Sequence, residues 1–175
     1  ISLIQSNFHG IGSRIGVGSY GFFLHNRGCG FNLIKNHPNM IHPGKKPLHT
    51  LSPTIWSKNN ELEFIVGTRG GRYQPQLLAQ HILPYILGKS SFEEIVKKPR
   101  WSLEYFGSNT DSEIKFEFIE ESVKNSLVSK GHKVTLEDRL VSSYGPISTI
   151  YRDSSGYFKG VPDVRVGTEK AFNSF

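Results

Sequence analysis

Two adjacent glycines, Gly70 and Gly71, carry the strongest chemical signal in this 175-residue sequence. They follow an apolar stretch typical of a strand and precede an amphipathic stretch typical of a helix. Backbone amides at such a turn point along the positive end of the helix dipole, where they can stabilise an oxyanion that develops during a reaction. A glycine pair is also a common signal for a tight turn, so the pair alone leaves a purely structural role open.

Three histidines, His37, His42 and His49, lie in one loop region rich in proline and glycine. Zinc ligands usually occur at short spacings together with a cysteine or carboxylate, and these histidines lack that arrangement. We therefore predict loop structure and substrate contacts for them, and no metal site. The single cysteine, Cys29, excludes a disulfide within the chain, and no base is visible beside it that would make it a nucleophile.

The charge pattern argues against a nucleic-acid partner. The net charge is +6 and the pI is near 9.4. Lysines and arginines come singly or in short pairs such as Lys45-Lys46, without a basic helix or an aromatic-basic platform. We interpret the charge as a general surface property, which would also suit an acidic small substrate or an acidic partner subunit.

The chain length and hydropathy fit one globular domain without a membrane span. Hydrophobic residues make up 37% of the sequence, and no apolar run approaches the roughly 20 residues that a transmembrane helix needs. No signal peptide is visible, which slightly favours the cytoplasm but leaves the compartment unknown. Because the first residue is Ile1, we expect the chain to begin at a processing site or at the edge of a fragment, and a signal on a longer precursor stays compatible with it.

The helices and strands predicted from the sequence indicate an α+β fold. Pro75 suits the first turn of a helix, Ser91 and Glu94 can form a capping box, and Gly131 can end a helix. Strands outnumber helices and cluster, which is not the pattern of βαβ units. We predict helices at residues 76–87, 91–98 and 122–130, and strands at residues 1–7, 22–25, 52–56, 62–67, 113–118, 133–136 and 147–151.

Several linked motifs occur in a specific order along the chain. They are Asn26-Arg27-Gly28, His37-Pro38-Asn39, PGKKPLHTLSPTI from Pro43, VGTRGGRYQPQ from Val66, and Lys98-Pro99-Arg100. This set resembles the small-subunit part of the gamma-glutamyltranspeptidase family of N-terminal-nucleophile hydrolases, in the variety that carries NRG and PGKxPxHT segments. The resemblance implies a four-layer α-β-β-α sandwich, of which this chain supplies part as a single domain over residues 1–175.

The resemblance also implies roles for individual residues. Gly70 and Gly71 match the glycines whose amides form the family's oxyanion site. Asn7 lies where members often carry a polar residue near the nucleophile, and Gln5 is a candidate for the hydroxyl partner of that nucleophile. Hydrogen bonding at the end of a strand is an equal alternative for Gln5 and Asn7. Asp163 and Arg165 lie in another matched segment, and we interpret both as structural.

The substrate loop departs from the usual pattern of the resembled family. Arg27 stands where many members carry Gln or Glu, and Gly30 stands where many carry an Asp that binds the glutamyl α-amino group. His49 and Thr50 replace paired serines. Since arginine favours bidentate binding of carboxylates, we predict substrate binding by these residues (Arg27, His49 and Thr50). We hypothesise an acyl donor that presents an anion there, such as a glutaryl group or a peptide-linked glutamate. A structural Arg27, paired with an acid on another subunit, stays open.

In the resembled family the precursor cuts itself, and the newly exposed threonine attacks the substrate amide with its own amine as the base. The match places residues 1–6 after that nucleophile, so we expect the threonine to lie upstream of this chain. The resemblance implies no cofactor. It implies the large subunit of the same precursor as partner, and a small γ-glutamyl or related acyl donor as substrate. The alternatives are a glutaryl-type acylase of the same fold and a non-catalytic scaffold or binding member.

Overall fold

The computed structural model describes residues 1–106, 111–138 and 144–167. The chain divides into two compact units. The loop unit comprises Leu3–Leu51, and the strand unit comprises Ile1–Ser2 with Ser52–Phe175. The sequence prediction of one domain over residues 1–175 stays a prediction.

The strand unit contains all the regular strands and α-helices of the described residues. In chain order these are β1 (Thr54–Lys58), β2 (Glu61–Thr68), α1 (Gln74–Ile86), α2 (Phe92–Ile95), β3 (Trp101–Phe106), β4 (Asp111–Phe116), α3 (Glu121–Ser129), β5 (Lys133–Leu136), β6 (Ile147–Arg152) and β7 (Phe158–Val161). One antiparallel sheet has the strand order β1-β2-β6-β7, and a second has the order β3-β4-β5, with β4 and β5 parallel. Helices and strands in two sheets confirm the α+β class.

Local sequence signals explain several of these elements. Asn59 and Asn60 have positive φ angles of 53° and 64°, which is the backbone of a two-residue hairpin turn, and this turn joins β1 to β2. Ser91 caps α2 through the predicted capping box with Glu94. Within the described ranges, no helix is both long and apolar enough to cross a membrane.

Two predicted strands were wrong, and one observed strand was not predicted. Residues 1–7 and 22–25 form no strand in the described structure, where Phe23 makes only an isolated bridge with Gly16. The side chains of Ile1 and Leu3 are exposed. The apolar residues of this segment therefore do not pack against another part of the described structure. Strand β3 was not predicted, because it is a mixed polar and apolar stretch whose extended form is set by pairing with β4, such as Leu103 with Ile114.

The hydrophobic core of the strand unit joins β2 to α1 and α2. Alternate residues of β2 point inward, and the apolar face of α1 covers them. Aromatic rings close the contact, with Phe64 edge-on to Phe92 at 5.3 Å between centroids. The core side chains are Phe64, Val66, Leu77, Leu78, Ile82, Phe92, Ile95, Val96, Ile147 and Val161. This packing holds rigid the two elements that flank the glycine pair.

A buried ion network ties together strand ends of both sheets. Arg100 Nη2 lies 2.6 Å from Asp163 Oδ2, and Arg165 Nε donates to Glu117 Oε1 at 2.8 Å. Asp163 also accepts the backbone N–H of Ile147 at 2.7 Å and that of Arg165 at 2.9 Å. Both pairs are almost completely buried. Because paired charges satisfy each other's hydrogen bonds, the network is compatible with burial, in agreement with the structural interpretation of Asp163 and Arg165.

One buried histidine stands inside this core. His81 on α1 lies 2.8 Å from Thr149 through Nε2 and stacks on Phe92. Its Nδ1 has no hydrogen-bond partner among the described residues. Burial, followed by the charge of Arg100, lowers the pKa of His81 from 6.5 to about 3, so the folded protein keeps the ring neutral.

We predict that His81 makes the protein sensitive to mild acid. Between pH 6.5 and about pH 3 the unfolded chain binds a proton that the folded chain does not bind. The free energy of unfolding therefore falls as pH falls, by up to about 1.4 kcal/mol per pH unit. His81→Gln keeps a hydrogen-bonding group but cannot titrate, and it should flatten this slope in urea unfolding.

The matched control is His132→Gln, since His132 is exposed. It should keep the wild-type pH dependence of stability. A wild-type slope in His81→Gln would show that this ring does not cause the acid sensitivity.

Candidate active site

The glycine pair lies where the sequence placed it, between the end of β2 and the start of α1. Gly70 has φ 129° and Gly71 has φ 54°, values that side chains strongly disfavour. Gly71 begins a short 3-10 turn, Gly71–Tyr73, that continues into α1. Neither glycine amide has a hydrogen-bond acceptor among the described residues. Two free donors therefore stand at the positive end of a 13-residue helix.

A second turn packs closely against the glycine pair. An ideal Cβ on Gly145 would lie only 2.0 Å from the carbonyl oxygen of Arg69 and 2.7 Å from Leu77 Cδ1. Only glycine fits such a close approach of two backbones. The Thr68 hydroxyl lies 2.8, 2.9 and 3.0 Å from the carbonyl oxygens of Arg69, Gly145 and Pro146, and it donates to one of them at a time.

The buried ion network holds this supporting turn. Arg100 Nη1 donates to the carbonyl of Gly145 at 2.9 Å and to that of Tyr144 at 3.2 Å, while its Nη2 pairs with Asp163. Burial alone would raise the pKa of Asp163. The charge of Arg100 and the backbone N–H donors of Ile147 and Arg165 outweigh burial and hold that pKa below its usual value. Asp163 therefore stays ionised, and its charge keeps Arg100 in place.

In the loop unit, the structure brings Gln5 and Asn7 together. Gln5 Nε2 donates to Asn7 Oδ1 at 3.2 Å, and the Asn7 carbonyl accepts the backbone N–H of Asn26 at 3.2 Å. The Asn26 side chain in turn bonds to both backbone groups of His9 and to the carbonyl of Gly12. The segment after Asn7 is thus joined to the segment that carries Arg27.

Arg27 and Thr50, both predicted to bind substrate, are also in contact. Arg27 Nη1 donates to Thr50 Oγ1 at 3.3 Å, and the guanidinium carbon lies 4.8 Å from the centre of the Phe8 ring. Arg27 is 8% exposed, and its Nη2 has no hydrogen-bond partner among the described residues. His49, the third predicted binding residue, is exposed.

The other loop histidines take part in local structure. His37 Nδ1 accepts the backbone N–H of Asn39 at 3.0 Å, and His42 Nδ1 lies 3.1 Å from the carbonyl oxygen of Pro43. No group of three or more His, Cys, Asp or Glu side chains that could hold a metal ion occurs within residues 1–106, 111–138 and 144–167.

Several residues that support the glycine turn at Gly70 and Gly71 were not predicted from the sequence. Thr68 and Gly145 support the glycine turn from positions 77 residues apart, and only the Gly-Pro dipeptide at Gly145 hinted at a turn there. A stronger signal lay in the charges. All fifteen Asp and Glu residues occur at or after Glu61, whereas six Lys and Arg residues precede it. The whole net charge of +6 therefore belongs to the first 60 residues.

The sequence is similar to that of one known protein family over almost its whole length. The sequence profile described as Gamma-glutamyltranspeptidase matches residues 1–172. A protein of Klebsiella pneumoniae named oxamate amidohydrolase proenzyme is 32% identical over 167 residues, which cover 94% of this chain and 31% of that protein. The chain thus spans about a third of the length of this curated relative.

Two solved structures resemble this one closely. The cephalosporin acylase of Bacillus halodurans has a TM-score of 0.79 and 30% identity, over 93% of this chain and 30% of that chain. A gamma-glutamyltranspeptidase from Pseudomonas nitroreducens has a TM-score of 0.80 and 21% identity, over 99% of this chain and 93% of that chain. The second likeness concerns the fold alone, and it confirms the fold that the sequence motifs predicted.

Gly145→Ala should destabilise the protein much more than Gly88→Ala. The φ angles are similar, 57° and 64°, so both substitutions carry the left-handed backbone cost of about 1–2 kcal/mol. Only Gly145→Ala also drives a Cβ into the Arg69 backbone, because a Cβ on Gly88 would meet nothing within 4 Å. We expect an additional loss of about 2 kcal/mol or more in the free energy of unfolding measured with urea. Equal losses would contradict the close approach at Gly145.

Proposed function

Since this chain belongs to the gamma-glutamyltranspeptidase family, we propose that the whole protein hydrolyses or transfers the acyl group of an amide through a threonine acyl-enzyme. The threonine would lie in a segment upstream of this chain and become an N-terminus when the precursor cuts itself. Its amine would then act as the base for its own hydroxyl. The name proenzyme of the Klebsiella pneumoniae relative supports such maturation.

The observation that carries this proposal is the pair of backbone amides at Gly70 and Gly71, for which the described part of the chain offers no hydrogen-bond acceptor. Attack on an amide carbonyl generates an oxyanion, and preorganised N–H donors stabilise that charge most when they need no rearrangement. Both glycines hold backbone angles that only a well-supported turn maintains, and Thr68 and Gly145 supply the support. Metal or cofactor chemistry is not required for this reaction.

The other predicted residues receive roles in the loop unit. We propose that Gln5 and Asn7, joined by their side-chain hydrogen bond, orient the threonine and the substrate. Arg27, His49 and Thr50 would contact the acyl donor. The Arg27–Thr50 hydrogen bond supports a shared role for that pair, because a hydroxyl that accepts from one guanidinium nitrogen leaves the other nitrogen available.

We further propose that the partner is the large subunit cut from the same precursor. The loop unit supports this, because many of its large apolar side chains are exposed to solvent in this chain, among them Leu3, Tyr20 and Leu33. Exposed apolar area on this scale is unusual for a free monomer and typical of a surface that another chain covers.

One of the two alternative functions has specific support. An acylase that removes a dicarboxylic acyl group is favoured by the likeness to the Bacillus halodurans cephalosporin acylase and by the name of the oxamate amidohydrolase relative, since oxamate is an amide that carries a carboxylate. A non-catalytic scaffold is the remaining alternative, which retains the fold without self-cleavage.

The first test is the intact mass of the full-length precursor after purification. We expect two fragments, the smaller beginning with threonine and containing residues 1–175. A precursor that stays uncut, with threonine absent from the cleavage region, would favour the scaffold and contradict the enzyme.

The second test concerns the support of the glycine turn. Thr68→Val removes the hydroxyl that bonds the turn and should lower kcat about 10-fold or more, because the loss of one oxyanion donor lowers kcat by about 10²–10³-fold. Thr54→Val is the matched control, since Thr54 Oγ1 also donates to a backbone carbonyl, that of Val66 at 2.7 Å, but not to the turn. Equal activity of the two variants on an acyl anilide would contradict this role.

A further inference from the structure

The loop unit contains a buried positive charge and no acidic residue. Residues 3–51 include Arg14, Arg27, Lys35, Lys45 and Lys46, but neither Asp nor Glu. Of these five cations only Arg27 is buried. The loop unit therefore contains no side-chain carboxylate that could pair with Arg27 in any conformation.

The guanidinium of Arg27 has contacts on two sides, and one of its nitrogens is left without a hydrogen-bond partner among the described residues. The Phe8 ring lies below it at 4.8 Å, and Phe8 itself has a positive φ of 77°, an unusual backbone for a bulky residue. Thr50 Oγ1 accepts from Nη1, whereas Nη2 is buried and has no hydrogen-bond partner among the described residues. The backbone N–H of Arg27 donates to His25 Nδ1 at 3.2 Å, which fixes the start of the side chain.

A buried guanidinium without a counter-charge is energetically unfavourable, because burial removes the water that would otherwise solvate it. The ring of Phe8 offsets part of this cost, but a π face does not satisfy the N–H donors in the guanidinium plane. The chemical group that matches a planar fork of N–H donors is a carboxylate, bound through two parallel hydrogen bonds. An ammonium group would be repelled, and the loop unit has no acid that could bind one.

We propose that Arg27 binds the carboxylate of the acyl donor, so that the protein prefers amides of dicarboxylic acids whose acyl chain ends in a free carboxylate and needs no α-amino group. This inference rests on the proposed function and adds the substrate class. Arg27 acts here as a substrate-binding residue, with Phe8 and Thr50 as positioning residues.

An acid from the remaining part of the precursor could instead pair with Arg27. The two cases differ in what a substitution changes. A structural ion pair affects the amount of folded enzyme and the activity on every substrate alike, whereas a substrate-binding arginine changes the ratio of activities between a charged and a neutral substrate. The ratio of two kcat/KM values is independent of the active fraction.

The experiment uses the full-length, self-cleaved protein and three anilides: glutaryl, pentanoyl and γ-glutamyl. Wild-type kcat/KM should be at least about 10-fold higher for glutaryl than for the neutral pentanoyl compound, and no lower for glutaryl than for γ-glutamyl. Arg27→Met should lower kcat/KM for glutaryl about 10-fold more than for pentanoyl, so that the preference for glutaryl is lost. Arg27→Lys keeps the positive charge but loses the planar pair of N–H donors, so it should retain only part of the preference for glutaryl. Lys35→Met removes an exposed charge from the same unit and should change nothing.

Each outcome separates this inference from the proposed function. Turnover without a preference for the carboxylate, an unchanged preference in Arg27→Met, or a strong preference for γ-glutamyl would overturn the inference and leave the enzyme proposal intact. No turnover of any anilide, together with an uncut precursor, would overturn the proposed function instead. Calorimetric titration with glutaramate, the monoamide of glutaric acid, gives a readout without catalysis. Wild type should bind glutaramate more tightly than the neutral pentanamide, and Arg27→Met should bind the two equally weakly.

Discussion

The buried ion network of Arg100, Asp163, Glu117 and Arg165 is the interaction on which the rest of the strand unit depends. It lies where ends of strands from both sheets meet, and each charge in it has an opposite charge or backbone groups as partners. Such a network contributes little net stability by itself. Removing one partner of a pair is nevertheless destabilising, because the other charge stays buried without compensation. Its value here is positional, because Arg100 also bonds to the carbonyl of Gly145 and so fixes the turn against which the glycine pair packs.

The two units treat positive charge in opposite ways. In the strand unit, buried arginines meet carboxylates of the same chain at hydrogen-bond distance. In the loop unit the buried Arg27 meets an aromatic face and a hydroxyl, and no acid exists within the unit to pair with it. In the first arrangement the charges are paired within the chain, whereas in the second Arg27 Nη2 has no partner among the residues that the structure describes. This difference is the physical basis for a structural role of Arg100 and Arg165 and for the recognition role that we propose for Arg27.

Local signals were sufficient for elements whose stability is local. The capping box at Ser91 and the amphipathic α1 were predicted close to their observed positions, because caps and helical periodicity act within a few residues. Strand assignments at residues 1–7 and 22–25 were wrong and β3 was missed, since an extended segment becomes a strand only when another strand accepts its hydrogen bonds. For the candidate site, the positions and backbone demands of Gly70 and Gly71 were predictable, and the contacts of Thr68, Gly145 and Phe8 were not.

The sequence by itself determined the family, through linked motifs that extend along nearly the whole chain, and the α+β class. It also determined that residues 1–60 carry cations without acids, although that pattern is informative only once a cation is known to be buried. The tertiary structure alone decided which cation that is and which backbone supports the glycine turn. The reason is that burial and close approach are properties of residues distant along the chain: Thr68 meets Gly145 across 77 positions, and Arg27 meets Thr50 across 23.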